Sequence, residues 1–558
     1  MTTDTATGTE RPAAKAVATN GGGLGFGGAV GAVLLAWLSL TPSLLPRGPL
    51  FQGLVSGAAA AVGYGLGVAV AALIGWLLHR PPPGPPRAVR WAVGLLACAG
   101  TVGVLIWYAG WQNDLRTLMG VPDLGWPSYP ILVAIAAVVF FVLLVVARVC
   151  RAAARGTGQL FARVLPPRVA ALLGGIAVVA LGIAILNGVV AEVAMSALNG
   201  TFKAVNNEVS EDTPKPDSPE RSGGPGSLVS WDSLGRQGRI FVANGPTAVE
   251  LTAFSGRPAR APIRVYTGLA SAENIRAEAD LAVAELRRAG GFDRSVLGVA
   301  TTTGTGWINE STASGVEYLA NGDSALVSMQ YSYLPSWLSF LVDQERARQA
   351  GQALFEAVHA AWDTLPPDRR PKLVVFGESL GSFGGEAAFA GIQDMAARTD
   401  GVLFVGPTAT NPVWRDATAR RDPGSPQWLP IYRDGQTARF IAAPPDLARP
   451  DRPWPAPRVV YLQHASDPIT WWTPRLLFQE PDWLREPRGP DVLTNTRWIP
   501  VVTFLQVSAD MAVSTDVPDG HGHTFHAAIA DAWAAILAPP GWTAADTERL
   551  RGVLRNED

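Results

Sequence analysis

Residues 372–385 read Lys-Leu-Val-Val-Phe-Gly-Glu-Ser-Leu-Gly-Ser-Phe-Gly-Gly. The apolar run Leu373–Phe376 predicts a buried strand, and the stretch from about 380 to 398 predicts a helix. Between them, Gly377-Glu378-Ser379-Leu380-Gly381 fits G-x-S-x-G, which puts the serine at a sharp strand-to-helix turn. Glycines flank it because so tight a turn leaves no room for side chains beside the serine. A chain with 59 glycines can produce the bare pattern by accident, so the strand before it and the helix after it carry the weight. A serine hydroxyl is a weak nucleophile near neutral pH; it needs a base, and the base needs an orienting carboxylate.

At such a turn the chain order is serine, then acid, then histidine. Downstream, Val459-Val460-Tyr461-Leu462-Gln463 predicts a strand whose far end presents His464-Ala465-Ser466-Asp467-Pro468. Asp467 is the preferred acid. Asp510, which follows a run read as the strand Val501–Val507, is the alternative. The base belongs in a tight loop before the last helix, where Pro518-Asp519-Gly520-His521-Gly522-His523 lies. His523 is preferred because it follows Gly-x-Gly directly; His521 is the alternative. Charge building on a carbonyl oxygen also calls for two amide donors. The amide of Leu380 is one, and the Thr302–Gly306 loop, with Thr302 and Thr303, is the candidate for the second. Tyr331, Trp337, Trp471 and Trp472 are aromatic candidates for an acyl pocket, with core packing as the competing role.

Other readings of these residues are weaker. His521, His523 and His526 read H-x-H-x-x-H, but the run lacks the acidic residue of a dinuclear zinc site, so no metal and no cofactor is expected. His464 either orients the Asp467 loop or fills the strand end. His359 lies in a helical pattern and receives no role.

Working outward, the chain has two unlike halves. Of its 558 residues 48% are hydrophobic and only 16% charged, against about 25% charged in average soluble proteins. Residues 1–195 hold 12 Lys+Arg and 5 Asp+Glu, whereas the rest holds 33 and 42. Abundant apolar residues and 19 Trp exclude wholesale disorder. The water-compatible half has no basic cluster, which argues against nucleic acid as a partner. The two cysteines, Cys98 and Cys150, both in the apolar half, exclude a disulfide scaffold.

Five apolar stretches, at about 24–44, 51–78, 89–111, 128–149 and 169–196, each reach the about 20 residues that cross a bilayer. They predict a five-span bundle over 24–200 after a disordered tail, 1–23. Small residues from Gly53 to Val70 suit close helix packing in lipid. Arginines gather in the second connection (Arg80, Arg87, Arg90) and the fourth (Arg148, Arg151, Arg155, Arg163, Arg168). Arginine-rich loops stay cytoplasmic, so an odd number of spans predicts a cell-membrane protein with its N-terminus inside and its second half outside. Glu192 is the main embedded ionisable residue, fewer than a transport path would show.

After a Pro/Ser-rich linker, 201–229, strands and helices alternate over 230–540, predicting an α/β domain with a mostly parallel, doubly wound sheet. The predicted strands include Arg239–Ala243, Ile263–Tyr266, Ser295–Thr301, Ala325–Tyr331 and Val402–Val405. An insert at 407–457 reads as a lid or cap. Its Arg415, Arg420, Arg421 and Arg433 are candidates for an anionic head group, with a solvated face as the competing role. Residues 541–558 read as a tail.

Together the elbow, Asp467, the Gly-His-Gly-His run and the five apolar stretches resemble the actinobacterial membrane-anchored α/β-hydrolase family. Its members join a multi-pass module to an extracytoplasmic hydrolase domain, and the resemblance spans about 24 to 540. The order of strands also resembles cutinases, although those carry disulfides and this domain has no cysteine. The resemblance implies a serine hydrolase that meets membrane lipids as partners and takes a lipid or cell-envelope ester as substrate. Acyl transfer would use the same residues. The reading from another class is a transport or envelope-assembly protein whose outer domain only binds.

Overall fold

The computed structural model describes residues 24–79, 84–185, 200–208 and 213–555; the side chains of Ile185, Trp337 and Leu341 fall outside that set. The tail 1–23, Arg80, Glu192 and the end of the fifth apolar stretch lie outside the described residues. The N-terminal half is helical: α1 Phe26–Leu38, α2 Pro49–Leu77, α3 Arg87–Met119, α4 Ser128–Phe161 and α5 Pro167–Ile185. Four of these, α2 to α5, are long and apolar enough to cross a membrane. The predicted first span is not among them. With 13 residues, α1 rises about 20 Å, short of a bilayer core of about 30 Å. It stops because Pro42 and Pro46 cannot continue a helix; the chain turns away at Ser39, whose hydroxyl donates to Ala36 O (2.6 Å).

The small residues predicted to pack do so. A Cβ on Gly31 would lie 2.2 Å from Gly63 O of α2, and one on Gly67 would lie 2.1 Å from Gly27 O, so α1 and α2 meet backbone to backbone. Gly53 and Gly57 make the same close approach to Ile135 and Val139 of α4. Gly31→Leu is therefore expected to prise α1 off α2 and cost about 1–3 kcal/mol. The check is the thermal midpoint of the detergent-solubilised protein, which should fall; an unchanged midpoint would contradict this packing.

Among the described residues, the second half contains seven strands: β1 Ile263–Thr267, β2 Val296–Thr301, β3 Ser324–Met329, β4 Lys372–Glu378, β5 Gly401–Val405, β6 Ala438–Ile441 and β7 Arg458–Leu462. They form one sheet in the order β1-β3-β2-β4-β5-β7-β6, with every neighbouring pair parallel. Parallel strands need crossover helices, so both faces are covered and both must be apolar. The side chains alternate accordingly. Val299, Val327, Val375 and Phe404 face a core shared with the helices Ile275–Arg288 and Gln344–Asp363. Ala300, Leu326, Phe376 and Leu403 face a second core with Glu310–Leu319 and Ile529–Leu537. The first core also takes in Leu40, Leu44, Leu45, Tyr108, Trp111, Leu115 and Met119 from the helical half.

Several sequence expectations need correction. The run Arg239–Ala243 belongs to a helix, Gly235–Ala243, that buries Gly238, Arg239, Phe241 and Val242 on one side. Val501–Val507 is likewise no strand; Val502–Met511 is a helix burying Val502, Thr503, Gln506, Val507 and Asp510, a helical stripe. The insert 407–457 is not a free lid, because it supplies the edge strand β6 and the helix Pro412–Ala419. Residues 541–558 are no loose tail over their described part: Ala544–Leu554 buries Leu550 and Leu554 on the sheet. The domain also begins before 230, since Ser222 and Glu220 already bond the backbone of Arg264 in β1.

Candidate active site

In a parallel sheet the carboxyl ends of the strands gather on one edge, where loops carry functional groups. β4 ends at Glu378, Ser379 takes φ +54° and ψ −120°, and the helix Leu380–Glu386 begins at once. Such a φ is strained for a residue with a side chain, and strain of this kind is found where a side chain must be held in one place. The glycines flanking the serine are sterically required. A Cβ on Gly377 would lie 2.5 Å from Gly381 O, and one on Gly381 would lie 2.3 Å from Thr301 O. Ser379 is half-buried, and its amide donates to Val405 O at the end of β5 (2.8 Å).

Asp467 follows β7 and is fully buried. Its Oδ1 accepts from the Ile469 amide (2.8 Å) and its Oδ2 from the Thr470 hydroxyl (3.0 Å), so the carboxylate is fixed before it meets any base. The same Oδ2 lies 2.7 Å from His523 Nδ1. A carboxylate accepts, so Nδ1 carries the proton and Nε2 is the lone-pair nitrogen of the neutral ring. Nε2 is buried and has no protein partner among the described residues. Both residues reach the turn after β5: the Ser379 amide bonds Val405 O, and a Cβ on the next residue, Gly406, would lie 2.5 Å from His523 Cε1.

Burial opposes a charged His523, yet the Asp467 carboxylate, its hydrogen bond and the charge of Glu378 outweigh it and hold the pKa above the ordinary imidazole value. His464 is the opposite case. Burial outweighs Asp491 and Asp467 and holds its pKa below the ordinary value. Its Nδ1 faces Gly522 O at 3.0 Å, and its ring stacks on Phe525 at 4.4 Å. His464 thus steadies the loop that carries His523, and the Ser466 hydroxyl does the same by accepting from the Gly522 amide (2.8 Å).

The alternatives fall elsewhere. His521 is not the ring hydrogen-bonded to Asp467; that partner is His523. Asp510 is bonded to Ser43, Leu44 and Arg47 of the helical half, in a buried joint. As the first residue of its helix, Leu380 has an amide without an intrahelical acceptor. Thr302 lies beside it, its carbonyl 3.1 Å from the Cβ position of Gly381, and its hydroxyl donates to Met329 O (3.0 Å). The Thr303 amide is already committed to Trp307 O (3.0 Å), so it is not a spare donor. Tyr331 and Trp471 are core residues, 0% and 2% exposed. Trp472 is half-buried, bonded to Ser508 and packed on Phe340 and Phe504. Trp337 sits in the helix Ser336–Val342, its side chain outside the described set.

A cavity of about 280 Å³ borders the helix that follows Asp467, lined by Trp414, Arg415, Thr470, Trp471 and Trp483 among others. Of the insert's arginines, Arg415 reaches this cavity. Arg420 pairs with Asp416, Arg421 with Asp482 and Glu486, and Arg433 lies over Tyr432. Among the described residues no group of three His, Cys, Asp or Glu converges as a metal site; His526 faces Ser311 (3.4 Å), away from the pair His523–Asp467.

Residues 263–550 match the family described as Alpha/beta-hydrolase family, and that stretch contains Ser379, Asp467 and His523. The chain belongs to this alpha/beta-hydrolase family. Residues 40–246 match the family's N-terminal region, described as Alpha/beta-hydrolase family N-terminus, so the helical half is shared as well. No curated protein and no solved structure matches the chain. Residues that the sequence alone did not single out are Thr470 and Ser466, which hold Asp467 and the loop of His523, and Asp491, which accepts from the Ser466 amide (3.0 Å). Their roles depend on partners that the linear sequence does not reveal. Glu378 had a signal, being the variable residue inside the elbow.

Proposed function

We propose that this protein is a membrane-anchored serine hydrolase acting on carboxylic esters of lipid or cell-envelope molecules. The observation that carries the reading is the buried His523–Asp467 pair, whose imidazole lies against the same turn after β5 that the strained Ser379 is bonded to. Ser379 Oγ attacks the ester carbonyl as its proton passes to His523 Nε2. Asp467 keeps the ring in the tautomer that can take this proton and stabilises the imidazolium. The amides of Leu380 and Thr302 are the donors for the tetrahedral oxyanion. The proton then goes to the departing alkoxide, and water, deprotonated by the same ring, releases the acid and restores Ser379.

Helices α2 to α5 are the anchor. The hydrolase domain packs on the end of α3 that holds Trp111 and Met119, whereas Arg87, Arg90, Arg151, Arg155, Arg163 and Arg168 belong to the opposite helix ends. Arginine-rich ends favour the cytoplasm, which supports a hydrolase domain on the outer face independently of the number of spans. A tethered site meets membrane-borne esters at high local concentration, and this favours lipid-like substrates. The test compares full-length protein in lipid nanodiscs on a long-chain ester carried in the bilayer and on a soluble short-chain ester. Faster turnover of the bilayer-borne ester supports the reading, and inertness toward both contradicts it.

The acid side of the pH profile offers a finer check. Neutral His523 is the working base, and the negative charge of Glu378 raises its pKa. Glu378→Gln removes that charge, lowers the pKa, and should move the acid limb of kcat/KM to lower pH. A limb that stays in place, or moves up, contradicts this electrostatic assignment.

A further inference from the structure

The segment between α1 and α2, residues 39–47, is a short connection between apolar helices, yet Leu44, Leu45 and Arg47 have no exposed surface. It is sunk into the hydrolase domain against the helix Val502–Met511. Gln506 Nε2 donates to Thr41 O (2.8 Å) and Ser39 O (3.2 Å). Arg47 Nε lies 3.3 Å from Asp510 Oδ1, both groups fully buried, and Arg47 Nη1 donates to Gln506 O (3.4 Å). The other carboxylate oxygen of Asp510 accepts from the Ser43 hydroxyl and from the Leu44 amide. The segment itself is braced from behind: Trp111 Nε1 of α3 donates to Leu40 O (2.9 Å) and Arg116 Nη2 to Arg47 O (3.3 Å).

The clamped helix leads directly into the base loop. Its last turn passes to Val513 and Ser514, and Ser514 O accepts the His523 amide (2.8 Å). Gly522, the residue before His523, has φ +53°, and its Cβ position lies 2.6 Å from Ser514 O, 2.7 Å from Val517 and 3.4 Å from Leu45 Cδ2. Leu45 therefore backs the turn that aims the imidazole, and the Arg47–Asp510–Ser43 cluster fixes the helix from which that turn departs. A joint that served only to tether the domain would not need to fall on the loop that bears the base.

We propose that residues 39–47 are a positioning element of the active site, through which the helical half of the protein sets the placement of His523. This proposal rests on the reading of Ser379 and His523 as nucleophile and base. A base displaced by even a fraction of an ångström takes the serine proton less well, so the effect belongs in the chemical step rather than in binding.

The test uses the full-length protein in detergent and two measurements. One is inactivation by a fluorophosphonate, separated into maximal rate and half-saturating concentration. The other is amide hydrogen exchange of the segment 512–523. Leu45→Ala and, as a milder change, Ser43→Ala are compared with wild type, with Leu45→Met as the conservative rescue. Leu550→Ala, a core truncation on the other side of the sheet, is the control for lost stability. The expected result for Leu45→Ala is a maximal rate down by about tenfold with the half-saturating concentration unchanged. Exchange at 512–523 should accelerate, with Leu45→Met near wild type and Leu550→Ala without either effect. Unchanged rate and unchanged exchange in folded Leu45→Ala and Ser43→Ala would overturn the proposal, as would equal effects in Leu550→Ala. If the wild type takes no probe, the nucleophile reading fails on its own, and exchange at 512–523 still decides whether the clamp exists.

Discussion

Ser379→Ala is expected to lower ester turnover by about 10⁴–10⁶-fold while leaving the folded protein intact. The structural work at this position is done by the backbone, through the N–H that donates to Val405 O and the carbonyl that accepts from Ser382, and alanine keeps both. The loss therefore belongs to the hydroxyl and its attack on the carbonyl. Whatever activity remains measures the contribution of the oxyanion donors and substrate binding alone. Turnover and the thermal midpoint should be read on the same preparation. A variant that keeps most of its activity would move the chemistry away from Ser379.

The second large effect is expected from Asp467→Asn, at about 10⁴-fold in kcat. The substitution preserves shape and burial but removes the charge, and its amide can present a donor to Nδ1, which favours the wrong ring tautomer. The charge loss also has a sign that can be checked. Asp467 raises the His523 pKa against the opposing effect of burial, so its removal lowers that pKa. The acid limb of the residual activity should then move to lower pH, the same direction as for Glu378→Gln and larger. His523→Ala should fall as far in rate, whereas His521→Ala, which does not touch Asp467, should stay near wild type.

The elbow was legible because β4 and the helix after it are local: an apolar run, two glycines and a serine fix that geometry within a dozen residues. Asp467 and the Gly-His-Gly-His loop were legible as places, since each lies next to a strand end or a helix start. The choice between His521 and His523 was not, because it depends on which ring the Asp467 carboxylate reaches across 56 residues of chain. Asp510 was misplaced for a related reason. Val502, Gln506 and Asp510 form one stripe of a helix, but two of the three are polar, which hid the helical period behind a run of β-branched and apolar residues. Those polar residues are there because their partners, Thr41, Ser43 and Arg47, lie more than 450 positions earlier.

The count of spans failed on length. The first apolar stretch reads as 21 residues, but its second part, from Ser39 on, is apolar in order to enter the hydrolase core rather than the bilayer. Hydrophobicity alone does not tell these two destinations apart. The strand β6 was hidden in the same way, as four residues inside an insert otherwise rich in Pro and Arg.

The most direct measurement is mass spectrometry of the full-length protein after treatment with a fluorophosphonate at neutral pH, with the adduct mapped by digestion. The expected result is one adduct per chain, on Ser379, lost in Ser379→Ala and strongly slowed in His523→Ala. A folded wild type that takes no adduct, or takes it at another residue, would contradict the assignment of Ser379 as a nucleophile activated by His523 and Asp467.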